Sequence, residues 1–64
     1  METWEIYDAT PDEIKLVREW ARKRPVVTER GETETNYYVH CEDSEREDEL
    51  AELCDAYSIK SRLL

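Results

Sequence analysis

The chain holds a single glycine, Gly31, and a single histidine, His40, among its 64 residues. One glycine rules out a glycine-rich phosphate loop, and a lone histidine with no serine or cysteine in a recognisable nucleophile motif leaves hydrolytic triads without their parts. No apolar run reaches the length of a membrane span, and the first residues do not form a basic-then-apolar leader. The expectation is a protein with no membrane contact, located in the cytoplasm, or in the host cytoplasm if it is viral. Repeats and low-complexity tracts are also lacking. Cysteine is scarce too. Cys41 and Cys54 are expected to be reduced thiols, and with His40 they fit no zinc spacing with paired ligands. Neighbouring strand residues point to opposite faces, which separates His40 from Cys41. No metal, cofactor or enzymatic activity is expected.

Positive charge is in short supply. Nine basic side chains stand against 17 acidic ones, giving a formal charge of −8. Such a balance disfavours direct binding to nucleic acid or anionic lipid and favours a protein partner with a basic surface. The length allows one domain, over residues 1–64, burying only ~60% of the surface exposed when unfolded, so a partner or self-association is expected to add stability.

What is present falls into periodic segments. "TWEIYD" alternates, with Trp4 and Ile6 on one face and Glu5 and Tyr7 on the other, as a half-buried strand requires. "TPDE" at 10–13 is a helix start, with Thr10 as cap, Pro11 in the first turn and Glu13 closing a capping box. The stripe Ile14, Val17, Trp20, Ala21 predicts a helix to about Arg24, stopped by Pro25. "VVTERGETETNYYVHC" predicts a hairpin with a short turn around Gly31, where a positive φ would be needed. Its second strand turns Tyr37, Val39 and Cys41 one way and Asn36, Tyr38 and His40 the other. "SERE" at 44–47 repeats the capping-box pattern with Ser44 as cap, and Leu50, Leu53, Cys54 and Tyr57 form the apolar stripe of a second helix. "YSIKSRLL" alternates again, with Ile59, Ser61 and Leu63 opposing Ser58, Lys60 and Arg62.

The order strand, helix, strand, strand, helix, strand resembles the ferredoxin-like sandwich, an α+β fold in which a four-stranded antiparallel sheet carries both helices on one face. That superfold hosts many unrelated functions and transfers no site of its own.

The most pronounced functional signal is charge. Segment 42–55 carries net −7, from eight carboxylates against Arg46, while segment 9–24 is net +2. Glu45, Asp48, Glu52 and Asp55 recur every three or four residues, with Glu49 beside them, so like charges become neighbours along one helical stripe. Each such contact disfavours the helix, and only first-turn acids are compensated by its dipole. Missing bases at these spacings point to a partner that supplies them, whereas the plain alternative is a solubilising face. Tyr37, Tyr38 and Tyr57 are the aromatic side chains nearest in sequence that would anchor such a contact.

In size and charge the chain is similar to small phage-encoded antagonists of host defence or transcription, including some anti-CRISPR proteins. The similarity implies an inhibitor that presents carboxylates, in place of phosphates, to a basic nucleic-acid-binding groove. A second reading places Tyr7, Tyr38 and His40, flanked by Lys60 and Arg62, on the sheet face away from the helices, as the interface of a homodimer. A third resembles RNA-recognition motifs, which stack single-stranded RNA on sheet aromatics, although "TNYYVHCE" lacks the basic and glycine positions of their signature. The capping boxes and clean topology also suit a designed protein without natural function, against which stand the two cysteines and the unbalanced acidic helix.

Overall fold

The computed structural model describes residues 2–64. Its elements are β1 (Glu2–Ile6), α1 (Pro11–Arg22), β2 (Val27–Arg30), β3 (Tyr37–Cys41), α2 (Ser44–Tyr57) and β4 (Ser61–Leu63). The strands form one sheet in the order β2-β3-β1-β4, and every neighbouring pair is antiparallel. This is the ferredoxin-like arrangement, an α+β fold with β1 and β3 in the centre.

Register sorts the side chains. Trp4 lies opposite Val39 and Leu63, and Ile6 opposite Tyr37 and Ser61, so these share one face. That face is the floor of the core, where Ile6, Tyr37, Val39 and Cys41 pack with Val17, Leu50, Cys54 and Ile59. Trp4, Ile14, Leu16, Trp20 and Leu53 close the rim of this core. Both cysteines are free and buried. Burial, with Glu47 and Asp43 adding negative charge nearby, pushes the Cys41 thiol up to about 11, and burial raises Cys54 against a hydrogen bond with Ser61. Both thiols are therefore protonated and unreactive at neutral pH.

α1 starts as its sequence dictates. The Thr10 hydroxyl accepts from the Glu13 N–H at 3.2 Å, and the Glu13 carboxylate accepts from the Thr10 N–H at 2.9 Å. Three local details differ from the sequence reading. α2 is capped by Asp43, whose carboxylate accepts from the Arg46 N–H at 2.9 Å, while Ser44 is already the first helical residue. An Asp one position earlier satisfies the same donors, so the helix shifts its start. Gly31 does not take a positive φ. A Cβ built on it would lie 2.2 Å from the Cβ of Asn36, so glycine is required for close approach at the mouth of the turn 31–36. Tyr57 is 56% exposed rather than part of the buried stripe, because α2 runs past the core at that end and stops at Ser58 in the left-handed conformation.

Candidate functional site

α2 is a 14-residue helix whose inward side is fixed by the buried Leu50 and Cys54. Helical geometry then turns Glu45, Asp48, Glu52 and Asp55 outward in one row, and all four are exposed. This outward placement is what the spacing predicts, but Glu49, grouped with the row on spacing, is engaged elsewhere. Three of the other four acids of the segment serve the fold: Asp43 caps, Glu47 accepts from the indole N–H of Trp4 at 3.0 Å, and Glu49 is clamped between two arginines, while Glu42 is exposed.

The Glu49 clamp is a polar contact that links α2 to the end of α1. Arg24, just beyond α1, donates from Nε to Glu49 and from a terminal nitrogen to the Trp20 carbonyl at 3.0 Å, with its guanidinium 5.0 Å from the Trp20 ring centre. Arg46 holds the other carboxylate oxygen of Glu49. The hydrogen bond from Arg24, with Arg46 beside it, keeps the Glu49 carboxyl below its usual range. Glu49 thus belongs to the scaffold, with its charge already answered. In the outer row only Glu45 meets a base, Arg46, at 3.9 Å; Asp48, Glu52 and Asp55 pair with no cation among the described residues.

The proposed aromatic anchors part company. Tyr37 is buried beneath the helices, where its hydroxyl donates to Thr28 Oγ1 at 2.8 Å, so it presents nothing to a partner. Tyr38, one residue on, faces the other side of the sheet and is not brought to the acidic row. Tyr57, in the last turn of α2, is exposed, but helical geometry projects it from the side of Leu50 and not from the side of the acidic row.

The open sheet face does gather Tyr7, Tyr38, His40 and Arg62, and it is covered by a polar network that sequence alone did not reveal. Glu5, 6% exposed at its centre, receives Arg62 Nε at 2.6 Å and Asn36 Nδ2 at 2.5 Å. The Arg62 guanidinium stacks 4.5 Å from the Tyr7 ring centre, and its pKa is raised chiefly by the Glu5 hydrogen bond. His40 sits between the Thr3 hydroxyl at 2.9 Å and Glu29 at 3.2 Å. Lys60 reaches out to Asp8 at 3.8 Å, beyond this cluster. The signal in the sequence was the shared alternation of Glu5 and Arg62, which becomes a contact only once the β1–β4 register is known.

Cys41 and His40 lie on opposite faces, and among the described residues no three His, Cys, Asp or Glu side chains gather as metal ligands do. No helix among the described residues is long and apolar enough to cross a membrane. Comparison with known proteins finds no family model, no curated protein and no solved structure that matches this chain.

Proposed function

We propose that this chain is a non-enzymatic binding module, an inhibitor whose acidic α2 row docks on the basic, nucleic-acid-binding surface of another protein. The supporting observation is that Asp48, Glu52 and Asp55 are exposed in register with Glu45 and have no cation partner among the described residues, although Arg46 on α2 and Arg24 just beyond α1 are close by and are used on Glu49. Four charges within ~15 Å of a straight helix approach the linear density of one DNA strand to within a factor of about two. A basic groove would meet them with its own lysines and arginines, releasing the like-charge strain the row imposes on α2.

The open-face readings draw less support. Arg62 already lies over Tyr7, and the central carboxylate and the imidazole are hydrogen-bonded within the chain, so stacking on Tyr7 would have to displace Arg62 and a self-associating face would find Glu5 and His40 already engaged.

The test is a pull-down from nuclease-treated lysate with wild-type protein and with Glu45→Lys, Asp48→Lys, Glu52→Lys and Asp55→Lys combined. The expected result is capture of nucleic-acid-binding proteins by wild type alone, released by raised salt or by added duplex DNA. Identical capture by both proteins, or capture indifferent to salt, would overturn the reading.

A further inference from the structure

The seam between α1 and β2 carries the opposite charge. α1 turns Ile14, Arg18, Ala21 and Arg22 toward β2, which is an edge strand, and two clefts open along the join. One, of about 530 Å³, lies between Ile14, Arg18, Arg30 and the turn 31–36; the other, of about 380 Å³, lies between Arg18, Arg22 and Thr28. Arg18 lines both, which makes the seam continuous. Arg18 and Arg30 are exposed and meet no carboxylate among the described residues, while Arg22 meets only Glu19, at 3.7 Å across solvent. Guanidinium groups are thus collected in one groove of a chain whose net charge is −8.

The backbone beside them is also unused. The Gly31 N–H donates to the Asn36 carbonyl at 3.1 Å, and the register continues as Arg30 opposite Tyr37 and Thr28 opposite Val39. Pairs in an antiparallel ladder alternate between bonded and non-bonded, so Thr28 and Arg30 direct their N–H and C=O groups away from β3, toward a rim that no strand of the sheet occupies. Their side chains fall on the helix side with Tyr37 and Val39. The same two residues therefore offer free backbone outward and border the arginine-lined groove.

We propose that the α1–β2 seam binds an extended acidic peptide segment of another protein, added as a fifth strand along β2, with its carboxylates received by Arg18, Arg22 and Arg30. Strand addition supplies the backbone hydrogen bonds, and the alternation of the added strand directs every second side chain at α1, where the guanidinium forks match carboxylates. Glu32 and Glu34 line the turn end of the groove, so the acidic positions are those beside Thr28 and Arg30, and the ligand's end near the turn is neutral or basic. A second copy of this chain is a poorer occupant, because pairing two β2 rims would bring their arginines together. This surface is separate from the α2 row.

The probe is a blocked peptide of about eight residues, one strand long, alternating Glu and Val. Three counterparts accompany it: one with Lys for Glu, one N-methylated on the amides that face the rim, and one scrambled to break the alternation. Titration into isotope-labelled protein in ~150 mM salt, where screening confines electrostatics to ~8 Å, is expected to shift and protect the Thr28 and Arg30 amides. Binding of the Lys, N-methylated and scrambled peptides is expected to be at least ~10-fold weaker, the loss from removing one or two charge-assisted or backbone hydrogen bonds. Arg18→Glu with Arg30→Glu should abolish binding without altering the thermal transition, and the row variant of α2 should bind as wild type. Equal binding of the Lys or N-methylated peptide, perturbation confined to β4 or the open face, or a rim already occupied by a second copy in sedimentation would overturn the proposal.

Discussion

The two helices lie on the same face of the same sheet and are built on opposite terms. α1 agrees with itself: a complete capping box, Pro11 in the first turn, Asp12 and Glu13 at the positive end of the dipole and Arg22 at the negative end. α2 has the Asp43 cap and first-turn acids, but its last turn carries no base, Asp55 sits near its negative end, and it ends on a serine forced into the left-handed region. Local chemistry maintains α1. Contacts made elsewhere maintain α2, through Leu50 and Cys54 below, Trp4 to Glu47, and Arg24 to Glu49. A helix that leaves its own charges unanswered while depending on its neighbours is one whose outer face has been released from the needs of folding.

That contrast is breakable. The largest effect is expected in the core: Leu50→Ala should cost ~3 kcal/mol and Val17→Ala ~2, measured by denaturant melts, with α2 unfolding first in amide exchange. Equal exchange of the two helices in the Leu50 variant would erase the distinction. Next, Ser58→Gly should raise stability by ~0.5–1 kcal/mol, since φ 55 is paid for by every residue but glycine. A smaller gain, ~0.3 kcal/mol, is expected from Asp55→Lys, which relieves the repulsion with Glu52 and complements the dipole, and which should weaken capture of a basic partner at the same time. Loss of stability in that variant would mean Asp55 has a structural role. The smallest effect concerns Glu49. Its folded pKa lies below the ordinary value of 4.5, so its stabilising contribution is present above that value and is lost as pH falls through the lower folded one. Glu49→Gln should flatten the acid limb of Tm against pH, and an unchanged limb would show that the clamp with Arg24 and Arg46 contributes nothing to the pairing of the helices.

Much of this fold was written locally. Alternation placed Trp4 and Ile6 on the core face, the TPDE box started α1, and the strand and helix order predicted the sheet order that is observed. The outward row of α2 followed from spacing alone. What sequence could not supply were contacts between residues far apart. Glu5 reads as a solvent-facing strand residue until Asn36 and Arg62, 31 and 57 positions away, close over it. Arg24 reads as the frayed end of a helix until Glu49 arrives from 25 residues further on. The split of Tyr37 into the core and Tyr38 to the far side, by contrast, followed from the alternation of the strand. The Gly31 and Ser44 details failed for a simpler reason: two local solutions existed for each, settled by the close approach of Asn36 at Gly31 and by the Asp43 carboxylate at the helix start.

The contact at Gly31 ties the hairpin mouth to the opposite border of the sheet. Asn36 is the residue that any side chain at position 31 would strike, and Asn36 is also what holds Glu5, which in turn holds Arg62 on β4. Three polar side chains, Asn36, Glu5 and Arg62, thus form one unbroken hydrogen-bonded bridge from the hairpin mouth to β4.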